Sequence, residues 1–135
     1  MHVLGRKPGT NVFRPPAADS PDDLRYPGLL LLRPEGRIFF ANAARVGQKI
    51  MERIAEERPQ VVALHLRGVF DLEYTALKMW TEAEKRLREA GVTVWLVGLN
   101  PGVLAMVRNS ALGEALGEER MFHNLEQAVA AYQAR

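Results

Sequence analysis

The sequence contains no cysteine, which excludes a disulfide framework and any thiol chemistry. Aromatic residues are scarce at 7%. Charge of one sign is lacking too: eighteen Lys and Arg stand against sixteen Asp and Glu, a formal net charge of +2. That balance argues against a dedicated nucleic-acid binder, which carries a basic stripe. No stretch approaches the ~20 consecutive apolar residues of a membrane-spanning helix, and Met-His-Val-Leu-Gly-Arg-Lys-Pro does not resemble a secretory signal. The phosphate-cradling G-x-G-x-x-G and G-x-x-x-x-G-K-[ST] runs are absent, as is the G-x-S-x-G nucleophile elbow. What is present is ordinary: 135 residues, 47% apolar and 25% charged, enough for one core in one domain and expected to be soluble as it stands.

Residues 1–28 differ from the rest. They hold Pro8, Pro15, Pro16, Pro21 and Pro27, five of the eight prolines. Proline at that density removes backbone donors, so the segment is expected to be an extended arm rather than a packed element. Val12, Phe13, Leu24 and Tyr26 are available to pin it locally. From Gly28 the chain changes. "GLLLLRP" and "RIFFANA", separated by "PEG", read as an antiparallel hairpin. Asn42 is the expected N-cap of a helix over 43–58, buried along Ala43, Val46, Ile50 and Ile54 and stopped by Pro59.

"VVALHL" (61–66) and "VTVWLVGL" (92–99) read as strands covered on both faces. Between them a helix is expected from about Leu72 to Ala90. Ala76, Leu77, Trp80, Ala83 and Leu87 face inward, Lys78, Glu82, Lys85, Arg86 and Glu89 face outward, and Gly91 forms the C-terminal cap. Strand, helix, strand implies a parallel crossover. Asn100-Pro101 opens a helix to about Ala111. "ALGEALGEERMFHN" follows as a Gly-broken connection in which Met121-Phe122 is expected to make a short edge strand. Asn124 with Gln127 forms a capping box for a last helix with Leu125, Ala128, Val129 and Tyr132 inward. The expected fold is α/β, a mixed sheet of four to five strands with about four helices packed on it.

Chemistry is sparse. His2, His65 and His123 have no ligand spacing, so no metal site is expected, and no cofactor is. His65, alternating with leucines, is expected to be a hydrogen-bonded core or sheet-edge residue. Phe39, Phe40, Trp80 and Trp95 fall on inward positions. The stretch "RGVFDLEYTAL" (67–77) is the exception, since it sets Asp71, Glu73, Tyr74 and Thr75 on the lip between a strand and a helix. A structural explanation is that Asp71 caps the helix and Glu73 complements its dipole. A functional one is that the free N–H groups near Thr75 attract an anion or phosphoryl group. The next helix start, Asn100 to Val103 with Gly102, is expected at the same end of the sheet, giving one polar surface.

An apolar strand, "FDLEYTAL" and an amphipathic helix together resemble the STAS domain family of sulfate transporters and anti-sigma factor antagonists. Set on the antagonists' Asp-Ser-Ser-Gly motif, Glu73 takes the acidic position, Tyr74 the first serine, Thr75 the phosphorylated serine and Ala76 the glycine. Tyr74 and Ala76 depart from that pattern. "VLGRKPGTNVFR" (3–14), "PGLLLLRPEGRIFFANA" (27–43) and "LVGLNPGVLAMVRNSAL" (96–112) are similar to the cytoplasmic C-terminal STAS domain of bacterial SulP anion transporters. The resemblance implies residues 1–27 as a linker arm to a membrane domain and 28–135 as the STAS domain. It further implies a non-enzymatic regulatory or interaction role in folding, gating or dimer contacts at the cytoplasmic face of the bacterial inner membrane. Expected partners are the membrane domain of the same transporter, a second copy in a homodimer, and a regulatory protein or weakly held anion or nucleotide; nucleic acid is not among them. The alternative is a free-standing antagonist switched by phosphorylation at Thr75.

Overall fold

The computed structural model describes residues 1–38 and 40–135, with the side chain of residue 40 outside that description. The elements in chain order are β1 (His2–Val3), β2 (Gly5–Arg6), β3 (Phe13–Arg14), β4 (Leu29–Arg33), α1 (Phe40–Glu57), β5 (Val61–His65) and α2 (Tyr74–Glu89). They are followed by β6 (Thr93–Val97), α3 (Pro101–Arg108), α4 (Ala111–Leu116), a 3-10 turn (Glu118–Arg120), β7 (Met121–Phe122) and α5 (Leu125–Gln133). A five-stranded mixed sheet runs β1-β4-β5-β6-β7. β4, β5, β6 and β7 are mutually parallel, and β1 closes one edge antiparallel to β4. The mixed α/β sheet is as expected, with five helices rather than about four. Among the described residues no helix is long and apolar enough to cross a membrane.

The strands alternate between two cores. Leu30, Leu32, Val62, Leu64, Val94 and Leu96 face a large core built with α1, α2, α3 and α4. Leu29, Leu31, Val61, Ala63, Trp95 and Val97 face a smaller one closed by Leu125, Ala128 and Val129 of α5. Burial on both faces explains why these strands read as continuous apolar runs.

Three expectations are corrected. The hairpin does not form: β4 already has β1 and β5 on its two edges, and Ile38 instead bridges in parallel to Leu72. Asn42 is not a cap, because α1 begins at Phe40, and its Nδ2 donates to the Arg37 carbonyl at 2.8 Å. Residues 1–28 are not an unpacked arm. Leu4 is 1% exposed in the smaller core and its N–H donates to the Leu31 carbonyl, while β2 and β3 form a second, two-stranded sheet. Arg14 and Asp23 hold this segment with paired hydrogen bonds of 2.8 and 2.9 Å. That contact pulls the Asp23 carboxyl below its usual range. The Gly-broken connection after α3 also contains α4, begun by Ser110, whose Oγ accepts from the Gly113 N–H. The inward placement expected of Phe39 and Phe40 lies outside the described residues.

Candidate functional site

The lip forms where the parallel strands β5 and β6 end. After β5 the chain turns, the Val69 N–H donating to the Leu66 carbonyl at 2.9 Å, and Val69 and Leu72 drop into the large core. Two clamps fix the segment between them. On one side the Gly36 N–H donates to the Gly68 carbonyl, the Ile38 N–H to the Asp71 carbonyl, and the Glu73 N–H to the Ile38 carbonyl, at 2.9, 2.9 and 3.0 Å. On the other, Asn100 Nδ2 donates to the Arg67 and Val69 carbonyls at 3.1 and 2.9 Å. Asn100 is thus the extended residue before Pro101 at the start of α3, as expected, but its side chain ties the two loops together rather than capping its own helix.

Of the residues singled out from sequence, Asp71, Glu73, Tyr74, Thr75 and Asn100 share this surface, and Gly102 lies exposed in the first turn of α3. Their roles are rearranged. Asp71 does not cap α2, because its carboxylate pairs with Arg37 at 2.8 Å. Glu73 is the residue before the helix, with extended backbone and no side-chain bond to the first turn. Tyr74 opens α2 and is 72% exposed, and Thr75 beside it is exposed as well. Phe70 is 70% exposed. The sequence reading passed over Phe70, although alternation in an extended segment with Val69 inward sends residue 70 outward. Two large aromatics therefore project from one hydrogen-bonded lip.

His65 ends β5 beneath the lip. It is half-buried rather than hydrogen-bonded, with Nδ1 out of solvent and unpaired. Burial, with the Arg33 and Arg67 charges, pushes its imidazole below the ordinary range. Gly98, at φ +68°, passes so close that a Cβ there would lie 3.1 Å from the ring. The described residues contain no cluster of His, Asp and Glu that could hold a metal ion. Beside Tyr74 a groove of about 560 Å³ separates α2 from α3 and α4, with Lys78, Thr81, Met106 and Asn109 on its walls.

Comparison with known proteins gives a consistent picture. The family model described as the STAS domain matches residues 20–128. High affinity sulfate transporter 2 of Stylosanthes hamata is 28% identical over 140 residues, covering 96% of this chain and 21% of the transporter. The chain thus spans about a fifth of the length of such relatives. The murine Solute Carrier 26 family member A9 anion transporter superposes with a TM-score of 0.90 at 17% identity, over 99% of this chain and 22% of that one. The STAS domain of a SulP transporter from Vibrio cholerae superposes at 0.67 with 23% identity, over 87% of this chain and 94% of that one.

Proposed function

This chain belongs to the STAS domain family, and we propose that it serves as the cytoplasmic STAS domain of a SulP-type sulfate or anion transporter, acting by docking rather than catalysis. Two kinds of support bear on this. The likeness to sulfate transporters takes in 96% of the chain, N-terminal segment included. The surface offered for docking is the lip, and the observation that carries this reading is its exposed aromatic pair, Phe70 and Tyr74. Rigid aromatics on a hydrogen-bonded support bury large area at little entropic cost, which is how interface anchors work. Asp71, Arg37 and Thr75 surround the pair with polar groups, as an interface rim requires. The partner we assign is the membrane domain of the same transporter, and contact there would couple the domain to folding or gating at the cytoplasmic side of a bacterial membrane. A second copy, a regulatory protein, or an anion or nucleotide held weakly at the α2 and α3 starts would use the same surface.

The experiment is an NMR titration of the labelled chain with the detergent-solubilised membrane part of the parent transporter, with parallel arms for sulfate and ATP. Shifts are expected at residues 67–75 and 99–103. The double substitution Phe70→Ser with Tyr74→Ser is expected to weaken the contact at least tenfold while leaving the fold intact, since neither side chain is buried. Shifts confined to the α5 side, or a double variant that binds unchanged, reject the lip.

The alternative, an antagonist switched at Thr75, draws on the exposure of that hydroxyl. Phosphorylation would place roughly −1.5 to −2 charges beside Glu73. Mass spectrometry after incubation with serine/threonine kinases tests it, and an unmodified Thr75 removes it.

A further inference from the structure

The carboxyl ends of β4 and β5 gather four basic side chains around one acid. His65 is the last residue of β5. The parallel register pairs Leu32 with Leu64, so Arg33 is the neighbour of His65 across the strands, and β1 sets His2 opposite Arg33 in turn. Arg67 follows at the start of the lip and is exposed. The acid is Glu35, and it is committed to others: its Oε1 lies 3.3 Å from Arg33 Nε and 4.0 Å from His2 Nε2. Asp71, further along the lip, pairs with Arg37. Residues 93–100, on the other flank of β5, carry no charged side chain. The charges acting on His65 are thus Arg33 and Arg67, both positive.

The ring is also tied mechanically to the lip. Its Nδ1 is out of solvent and unpaired, and the Gly98 backbone closes on its other edge, where a Cβ would lie 3.1 Å from Cδ2 and Nε2. The lip begins at the next peptide. Leu66 N–H donates to the Val97 carbonyl at 2.9 Å, and Asn100 Nδ2 holds the Arg67 and Val69 carbonyls. Arg67 therefore stands on the turn that Asn100 clamps. Gly68 beside it rests on Glu35, a Cβ there coming 3.3 Å from Glu35 Cγ. A third cation between Arg33 and Arg67 is repelled by both. Arg33 is fixed in a strand with neighbours on both edges, so the side that yields is the lip.

We propose that His65 is a proton-operated release for the lip. With the ring neutral, residues 66–73 stay clamped and present Phe70 and Tyr74 on a rigid support. With the ring protonated, repulsion of Arg67 draws the turn away from Asn100 and the aromatic pair loses that support. The signs agree. Burial and the two arginines hold the ring of the clamped lip below its ordinary value of 6.5, while a released ring takes up its proton at that value. The clamped lip is favoured above it and loses its advantage as pH falls through it. This regulation rests on the docking role assigned to the lip only for its consequence, which is that a partner held through Phe70 and Tyr74 is let go on acidification.

The test uses the whole chain, labelled with ¹³C and ¹⁵N and titrated from pH 8 to pH 5. The His65 Cε1–H, the amides of residues 66–73 and the Asn100 side-chain amide are expected to move together, with one midpoint below 6.5. His65→Gln is expected to remove the movement at the lip, whereas His2→Gln keeps it. Arg67→Gln, at an exposed position where substitution spares the fold, is expected to raise the shared midpoint, because one of the two charges opposing the proton is gone. A lip that stays still while the ring titrates, a transition that survives His65→Gln, or a midpoint that Arg67→Gln leaves in place overturns the proposal. Binding to the detergent-solubilised membrane part of the parent transporter is expected to weaken about fivefold or more between pH 7.5 and pH 5.5, and to stay constant in His65→Gln. Equal binding by the parent chain at both pH values overturns the release. No binding at either pH, with the lip titrating as expected, rejects the docking role and upholds the release.

Discussion

His65 shows how a single side chain sets a condition on the whole fold. Its ring sits under the lip between Arg33 and Arg67, with Gly98 against one face. The folded state holds the imidazole neutral below its ordinary value near 6.5, so on acidification the unfolded chain binds the proton first. The stabilisation is fully present above that value and is lost as pH falls through it, until the folded ring also titrates. Urea midpoints are therefore expected to drop between pH 8 and pH 5.5, and His65→Leu should flatten that drop; an equal fall in both proteins would remove His65 as the cause. Gly98→Ala meets two penalties at once, a left-handed backbone and a Cβ 3.1 Å from the ring. It should cost about 1–3 kcal/mol by denaturant unfolding. Neither constraint was legible beforehand, because alternation with leucines says which way His65 points and nothing about the arginines that reach it from β4 and the lip.

Among the elements, α2 was the most legible and also the most instructive. Its inward residues follow helical spacing, and its end closes as glycine chemistry dictates. Gly91 takes φ +86°, its N–H donates to the Arg88 carbonyl, and the Val92 N–H donates to the Leu87 carbonyl at 2.8 Å, the paired bonds of a Schellman ending. Trp80 is 8% exposed, so Trp80→Ala is expected to cost about 3–5 kcal/mol, read as a lowered denaturant midpoint with unchanged slope. The start of α2 was misplaced by two residues for a non-local reason. Asp71 has the chemistry of a cap, but residues 36–38 lie beside 68–73 and bring Arg37 to its carboxylate. The same pairing undid the expected hairpin. Two apolar runs across a glycine turn suit antiparallel strands, and nothing local reveals that both edges of β4 are already taken. Glu84, buried on the inward face of α2, was passed over because a lone acid on a mostly apolar stripe does not alter the period.

On the scale of the molecule, the proline-rich start is explained by a shortage of cover. The central strands are buried on both sides, but α1, α2, α3 and α4 lie over one face, leaving α5 alone on the other. The remaining area is closed by Leu4, with Phe13 and Tyr26 packed against the same core. Proline forbids helix there without forbidding burial. The overall α/β plan was readable from run lengths and turns, whereas this role needed a count of helices per face. The consequence is measurable. An unpacked arm would tolerate truncation of any of its side chains, but Leu4, at 1% exposure, should behave as core. Leu4→Ala is expected to destabilise the chain by about 2–5 kcal/mol in urea unfolding. Val12→Ala, at an exposed position of the same segment, should stay within about 0.5 kcal/mol of the parent. A Leu4→Ala midpoint equal to that of Val12→Ala would return the segment to a loose tether and leave the α5 face without the cover that parallel strands require.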